Sequence, residues 1–282
     1  MKQRIITSVI ALCVLVPVLI FADTPALPIA IAACSVIAVY EMLACVGLKK
    51  SWAVSIPFYF VALAAPFFAR HIERLRFAAI AVSAVTVGIL YLFTVLVFSH
   101  RKYNIQQIGG AFFAIAYILI GFNGILVIHD WTDGGEFLYL VTFLGAWITD
   151  IFAYFCGMLF GRGGKHKLIP DVSPKKTVEG CIGGIVFCVL AMLLFGLIVE
   201  KSVPSIQSNL WVFAVGGVAV SVVAQIGDLS MSVIKRTYGI KDYGKLFPGH
   251  GGILDRFDSV IAVSTVLLVV TSFFNFFERI AL

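Results

Sequence analysis

The residues with most to offer chemically are crowded between Ser232 and Asp258. The stretch reads Ser-Val-Ile-Lys-Arg-Thr-Tyr-Gly-Ile-Lys-Asp-Tyr-Gly-Lys-Leu-Phe-Pro-Gly-His-Gly-Gly-Ile-Leu-Asp-Arg-Phe-Asp. Its cations are Lys235, Arg236, Lys241, Lys245 and Arg256, and its carboxylates are Asp242, Asp255 and Asp258. Pro248 to Gly252, with His250, Gly251 and Gly252 together, leads into an apolar helix expected to start near Ile253. Glycines ahead of a helix leave backbone N–H groups free to converge on an anion, and the helix dipole adds positive potential there. Asp255 and Asp258, three apart, share one face of the first turns. An anion bound there would meet both charges unless a metal lay between. Cations, carboxylates and a glycine loop together suit phosphoryl or nucleotidyl transfer. A solvated basic loop would explain the cations alone.

A second polar stretch runs from Gly161 to Gly180 and contains Ser173-Pro-Lys175-Lys176-Thr177-Val-Glu179. Lys176, flanked by Ser173 and Thr177, reads as a phosphate ligand. Arg162, Lys165 and Lys167 read as loop charges touching anionic lipid heads. Three acids fall inside apolar runs: Glu41, Asp150 and Asp228. Such groups cost about 2.5–3.5 kcal/mol each at a helix centre on insertion scales, so they default to a functional reading. Asp228 lies about 9 Å, and Asp150 about 15 Å, from the polar end of its helix at 1.5 Å per residue. All three are expected to point into one polar cavity. For Glu41, a structural pair or a hydrogen-bonded acid is an equal alternative.

The elements that must carry these residues are membrane helices. Of 282 residues, 61% are hydrophobic and 13% charged, against about 45–50% and 25% in soluble domains. The expected fold is all-α, a polytopic integral membrane helix bundle of about nine spans. These fall near 5–22, 26–48, 52–69, 77–98, 109–128, 137–160, 178–199, 209–234 and 253–277, each near the 20 residues a bilayer requires. The division is 1–136, less specific, and 137–282, which carries both polar stretches. Lys2, Arg4, Lys49, Lys50, Arg101, Lys102 and both polar loops fall on one side, and only the Arg70–Arg76 connection breaks the pattern. The N-terminus and both loops are therefore expected in the cytoplasm. The net charge of +6 is not read as a nucleic-acid footprint. The six cysteines lie singly with no metal spacing. Gly157/Gly161, Gly180/Gly184 and Gly216-Gly217 read as close-packing sites.

The Ser232–Asp258 stretch resembles the signature of the phosphatidate cytidylyltransferases (CDP-diacylglycerol synthases). That pattern is Ser-x-apolar-Lys-Arg, four residues, Lys-Asp-x-Gly, then Pro-x-His-Gly-Gly-apolar-x-Asp-Arg-apolar-Asp, and every fixed position is filled here. Ser173-Pro-Lys-Lys176-Thr177, Trp147-x-x-Asp150 and Gly227-Asp228 extend the resemblance over much of the second half. It implies transfer of the cytidylyl group of CTP to phosphatidate, a membrane lipid, giving CDP-diacylglycerol and pyrophosphate for phospholipid biosynthesis. It implies Mg²⁺ held by Asp228 and Asp255, with Asp258 and Asp150 as further ligands. Lys235, Arg236, Lys241 and Arg256 join Asp228 and Asp255 as catalytic candidates. Lys176, Ser173, Thr177, Lys245, His250, Gly251 and Gly252 are candidates for holding substrate. A bacterial inner membrane is the expected location, and a homodimer is compatible with the reading. Two rivals remain: a CTP-dependent lipid kinase and, more remotely, a secondary transporter. No internal repeat of the transporter kind is visible.

Overall fold

Apolar runs bounded by charged or glycine-bearing turns fold as helices in the computed structural model, which describes residues 2–161 and 166–280. The lipid-facing readings for Arg162 and Lys165 lie outside the described residues. In chain order the helices are α1 (Lys2–Ile20), α2 (Ala26–Cys45), α3 (Trp52–His71), α4 (Arg74–Phe98), α5 (Ile105–Trp131), the short α6 (Gly135–Leu138), α7 (Leu140–Phe160), α8 (Val178–Ser202), α9 (Leu210–Thr237) and α10 (Leu254–Val270). Two antiparallel pairs of short strands accompany them. β1 (Lys167–Ile169) pairs antiparallel with β2 (Ser173–Thr177), and β3 (Ile206–Ser208) with β4 (Phe277–Arg279).

Among the described residues, seven helical segments are long and apolar enough to cross a bilayer: 26–45, 52–71, 75–98, 105–131, 135–160, 178–202 and 210–237. The protein is an all-α integral membrane bundle. The first and last expected spans differ from the others. Thr7–Ile20 is a shorter apolar helix. The expected span 253–277 ends early: α10 has 17 residues, about 25 Å at 1.5 Å per residue. Its apolar continuation turns back at Thr271–Phe273 and enters β4. Phe276 and Phe277 are buried there against Phe213, with ring centroids 5.0 and 5.1 Å away. Their hydrophobicity serves a protein core.

The chain divides into two compact units, residues 1–126 with 240–256 and residues 127–239 with 257–282. In the first, α2 packs on α3, and each is flanked by a neighbour, α1 and α4. The helix α4 exposes apolar side chains all round, including Val82, Leu90 and Phe93, the pattern of a helix facing lipid. Arg70, the charge out of place in the loop pattern, donates from Nη1 to the carbonyls of Ala22 at 2.8 Å and Thr24 at 2.6 Å.

In the second unit α7, α8 and α9 pack together, and small residues set the closeness. A Cβ on Gly180 would stand 2.5 Å from the Ala153 carbonyl and 3.3 Å from Gly157 Cα. A Cβ on Gly217 would reach 3.0 Å from Val189 Cα. The close-packing reading of these glycines holds. At one end, Arg279 bridges Glu136 at 2.9 Å and β4 closes on β3, tying together the turns after α5, α8 and α10.

Candidate active site

The second unit gathers charge where α7, α9, α10 and the β1–β2 pair carry the predicted residues. On β2 Lys175 is exposed and Lys176 is half-buried. Its Nζ lies 2.7 Å from Asp228 Oδ2 and 3.5 Å from the Gln225 carbonyl on α9. Asp258, on α10, is buried, and its charged neighbours are Asp228, Asp150 and Lys235. Lys235 is buried as well, while Arg236 beside it is exposed. Both occupy the last turn of α9, where the helix dipole favours cations. Asp150 Oδ2 accepts a 3.2 Å hydrogen bond from Ser259 Oγ. Two cations and three carboxylates therefore meet within one bundle, at the edge of an apolar core.

Sequence reasoning missed the polar side chains that support this cluster. Thr149 Oγ1 donates to Ser221 Oγ at 3.0 Å, and Gln225 Nε2 donates to the Cys181 carbonyl at 3.3 Å. Gln225 lies three residues before Asp228, so the two share a helix face; that spacing was the available signal. Ser173 and Thr177, expected to hold substrate, sit at the ends of β2. Thr177 Oγ1 accepts from the Gly180 N–H at 3.2 Å and so caps the N-terminus of α8. His166 Nδ1 and Glu179 Oε1, 2.5 Å apart, close the base of the same loop.

The first unit holds the glycine loop. A polar cavity of about 640 Å³ is lined by Lys241, Asp242, Lys245, His250, Gly251 and Arg256, among others. Arg256 Nε donates to the His250 carbonyl at 2.9 Å, and the His250 ring lies 3.4 Å from Ser8 Oγ. The N–H groups expected to lie open to an anion are instead engaged by side chains of the protein. Glu41 Oε1 accepts from Ile253 at 3.0 Å and Oε2 from Leu254 at 2.9 Å. Asp255 Oδ2 accepts from Gly252 at 2.9 Å and from Tyr243 at 2.7 Å. Carboxylates satisfy a helix N-terminus as a phosphate would. Glu41, expected to point into a polar cavity, is 3% exposed and has its carboxylate turned onto the backbone.

Among the described residues no three His, Cys, Asp or Glu side chains are grouped closely enough to enclose an ion by themselves. That is compatible with Mg²⁺, which keeps several waters and binds through one or two carboxylates plus substrate phosphates. Asp228, Asp258 and Asp150 offer hard oxygen donors of that kind. Asp255 has one oxygen already committed to two backbone donors.

Comparison with known proteins agrees with this chemistry. A family model described as "Cytidylyltransferase family" matches residues 2–274. A phosphatidate cytidylyltransferase of Bacillus subtilis (strain 168) is 34% identical over 278 residues, 98% of this chain and 99% of its own length. One of Staphylococcus haemolyticus (strain JCSC1435) is 33% identical over 276 residues, covering 95% of this chain and 97% of the relative. One of Staphylococcus saprophyticus is 38% identical over 179 residues, 64% of each chain.

Proposed function

The chain belongs to the cytidylyltransferase family, and on that premise we propose that it transfers the cytidylyl group of CTP to phosphatidate. An ionised oxygen of the lipid phosphate bonds to the α-phosphorus of CTP. The bond from that phosphorus to the oxygen bridging to the β-phosphate breaks, and pyrophosphate departs with the electron pair. No proton has to move. Two anions must approach each other, so charge neutralisation and in-line positioning do the catalytic work.

The observation that carries this reading is the Lys176–Asp228 pair at 2.7 Å, set beside buried Lys235 and Asp258. Lys176 and Lys235 neutralise phosphate oxygens while the carboxylates hold the cations in place. Asp228 and Asp258, with Asp150 next, would hold Mg²⁺; Asp255 is the weaker ligand because of its backbone bonds. When bound, the ion supplies positive charge to the phosphate oxygens of the transition state. In the first unit, the cavity lined by Lys241, Lys245 and Arg256 is read as an anion-binding wall for substrate phosphate.

The site faces the cytoplasm of a bacterial inner membrane in this reading. Support comes from the Lys and Arg bias of the loops that carry it. The test is product analysis with purified protein, Mg²⁺, CTP and either phosphatidate or a long-chain polyprenol. CDP-diacylglycerol and pyrophosphate should form from phosphatidate alone. Phosphorylated polyprenol with CDP would replace this reading with a lipid kinase.

A further inference from the structure

Glu41 comes from α2, 212 residues before the first of the two backbone groups it binds. Each of its oxygens takes one N–H from the first turn of α10, Ile253 on Oε1 and Leu254 on Oε2. Two glycines make the approach close. A Cβ at Gly244 or at Gly252 would collide with the Glu41 carboxylate. Gly252 is held from its other side by Asp255 Oδ2, which also binds the Tyr243 N–H. The segment from Tyr243 to Leu254 is thus clamped by two carboxylates. The same segment carries Lys245 and His250, and with Lys241 and Arg256 it lines the basic cavity.

We infer that Glu41 is a positioning residue for the transfer reaction: its carboxylate fixes the glycine loop and first turn of α10, and so sets the basic cavity wall for a phosphate-bearing substrate. The inference rests on the reaction proposed above for what fills that cavity. It also assigns the helix N-terminus an internal anion, so substrate phosphate is left to the side-chain cations. Charge and length both matter. A glutamine in place of the acid would set an amide N–H against one of the two N–H donors, and an aspartate is one methylene too short to reach both. A wall that binds ground state and transition state alike changes KM and leaves kcat near its parent value.

The experiment uses the full chain in detergent or nanodiscs and compares the parent with Glu41→Gln, Glu41→Asp, Gly252→Ala and the control Tyr40→Phe. Tyr40 is the exposed neighbour on α2 whose hydroxyl accepts from Lys49 Nζ at 2.9 Å. Hydrogen exchange is read over the peptide covering 243–256, and KM is measured separately for CTP and for phosphatidate. Glu41→Gln should speed exchange of the Ile253 and Leu254 amides by about tenfold or more. It should also raise one of the two KM values by about tenfold, with kcat within about threefold. The KM that rises identifies whether nucleotide or lipid phosphate meets the wall. Gly252→Ala should reproduce both effects, and it decides the matter if Glu41→Gln fails to insert. Glu41→Asp should fall between, and Tyr40→Phe should match the parent. Unchanged exchange would overturn the clamp. Faster exchange with both KM values unchanged, or a fall in kcat alone, would overturn the positioning role. A parent that makes no cytidylylated lipid would sink the reaction assignment instead, and the exchange result would still decide whether Glu41 holds the loop.

Discussion

Asp228 lies about two and a half turns before the end of α9, and Lys176 meets it at 2.7 Å. The pair is partly exposed, at 19% and 30% of the side chains, so it is a solvent-reached charge pair. Asp228→Asn keeps size and hydrogen bonding but removes the charge. It should lower kcat about 10²-fold or more, as loss of a transition-state electrostatic group does, with the protein still inserted in the membrane. Lys176→Met should do the same. Because the two act as a unit, the double variant should be no more than about threefold worse than the poorer single one. Single variants within a few-fold of the parent would remove both from the chemistry. Thr177 separates a structural role from a catalytic one. Thr177→Ala deletes the cap on α8 and should cost about 1 kcal/mol of stability, seen as a lower melting midpoint with KM for CTP unchanged. A raised KM at unchanged stability would restore Thr177 to the substrate site.

The contact of α7 with α8 decides where the β1–β2 pair delivers Lys176, and glycine sets that contact. Gly180→Val would drive a branched side chain into Ala153 and Gly157 and should destabilise by about 1–3 kcal/mol. Gly109→Ala on α5, whose added Cβ would meet no described atom within 4 Å, should be near neutral in the same melt. Equal melting of the two variants would contradict the close packing. These glycine pairs and the long helices were legible in the sequence, because spacing and hydropathy report them directly. The end of α10 was not. Hydropathy cannot tell a phenylalanine facing lipid from one facing Phe213, so the run through Phe277 read as span. The short strand β2 was equally hidden, since five residues of Ser-Pro-Lys-Lys-Thr carry no apolar alternation to read. Glu41 stood out as a membrane acid, but its partners are backbone N–H groups of Ile253 and Leu254. A backbone donor leaves no residue signature, so no motif could have announced the pair.

For the molecule as a whole, the loops alternate between a Lys- and Arg-rich side and a side where Asp and Glu prevail, the Arg70–Arg76 connection excepted. Cysteines replacing Lys102 or Lys167, in a cysteine-free background, should be labelled by an impermeant reagent only from the cytoplasm. One replacing Asp133, an exposed turn residue, should be labelled only from outside. Gly134 next to it is unsuited, because a Cβ there would strike Phe277 and its backbone has φ of 65°. Labelling of 133 and 167 from one side would overturn the orientation. The central claim is that this bundle brings a lipid phosphate to the α-phosphorus of CTP. The most direct measurement follows the label from α-³²P and γ-³²P CTP in parallel reactions with phosphatidate and Mg²⁺. Attack at the α-phosphorus predicts labelled lipid from the first nucleotide and labelled pyrophosphate, with unlabelled lipid, from the second. Lipid labelled from the γ position would contradict the account.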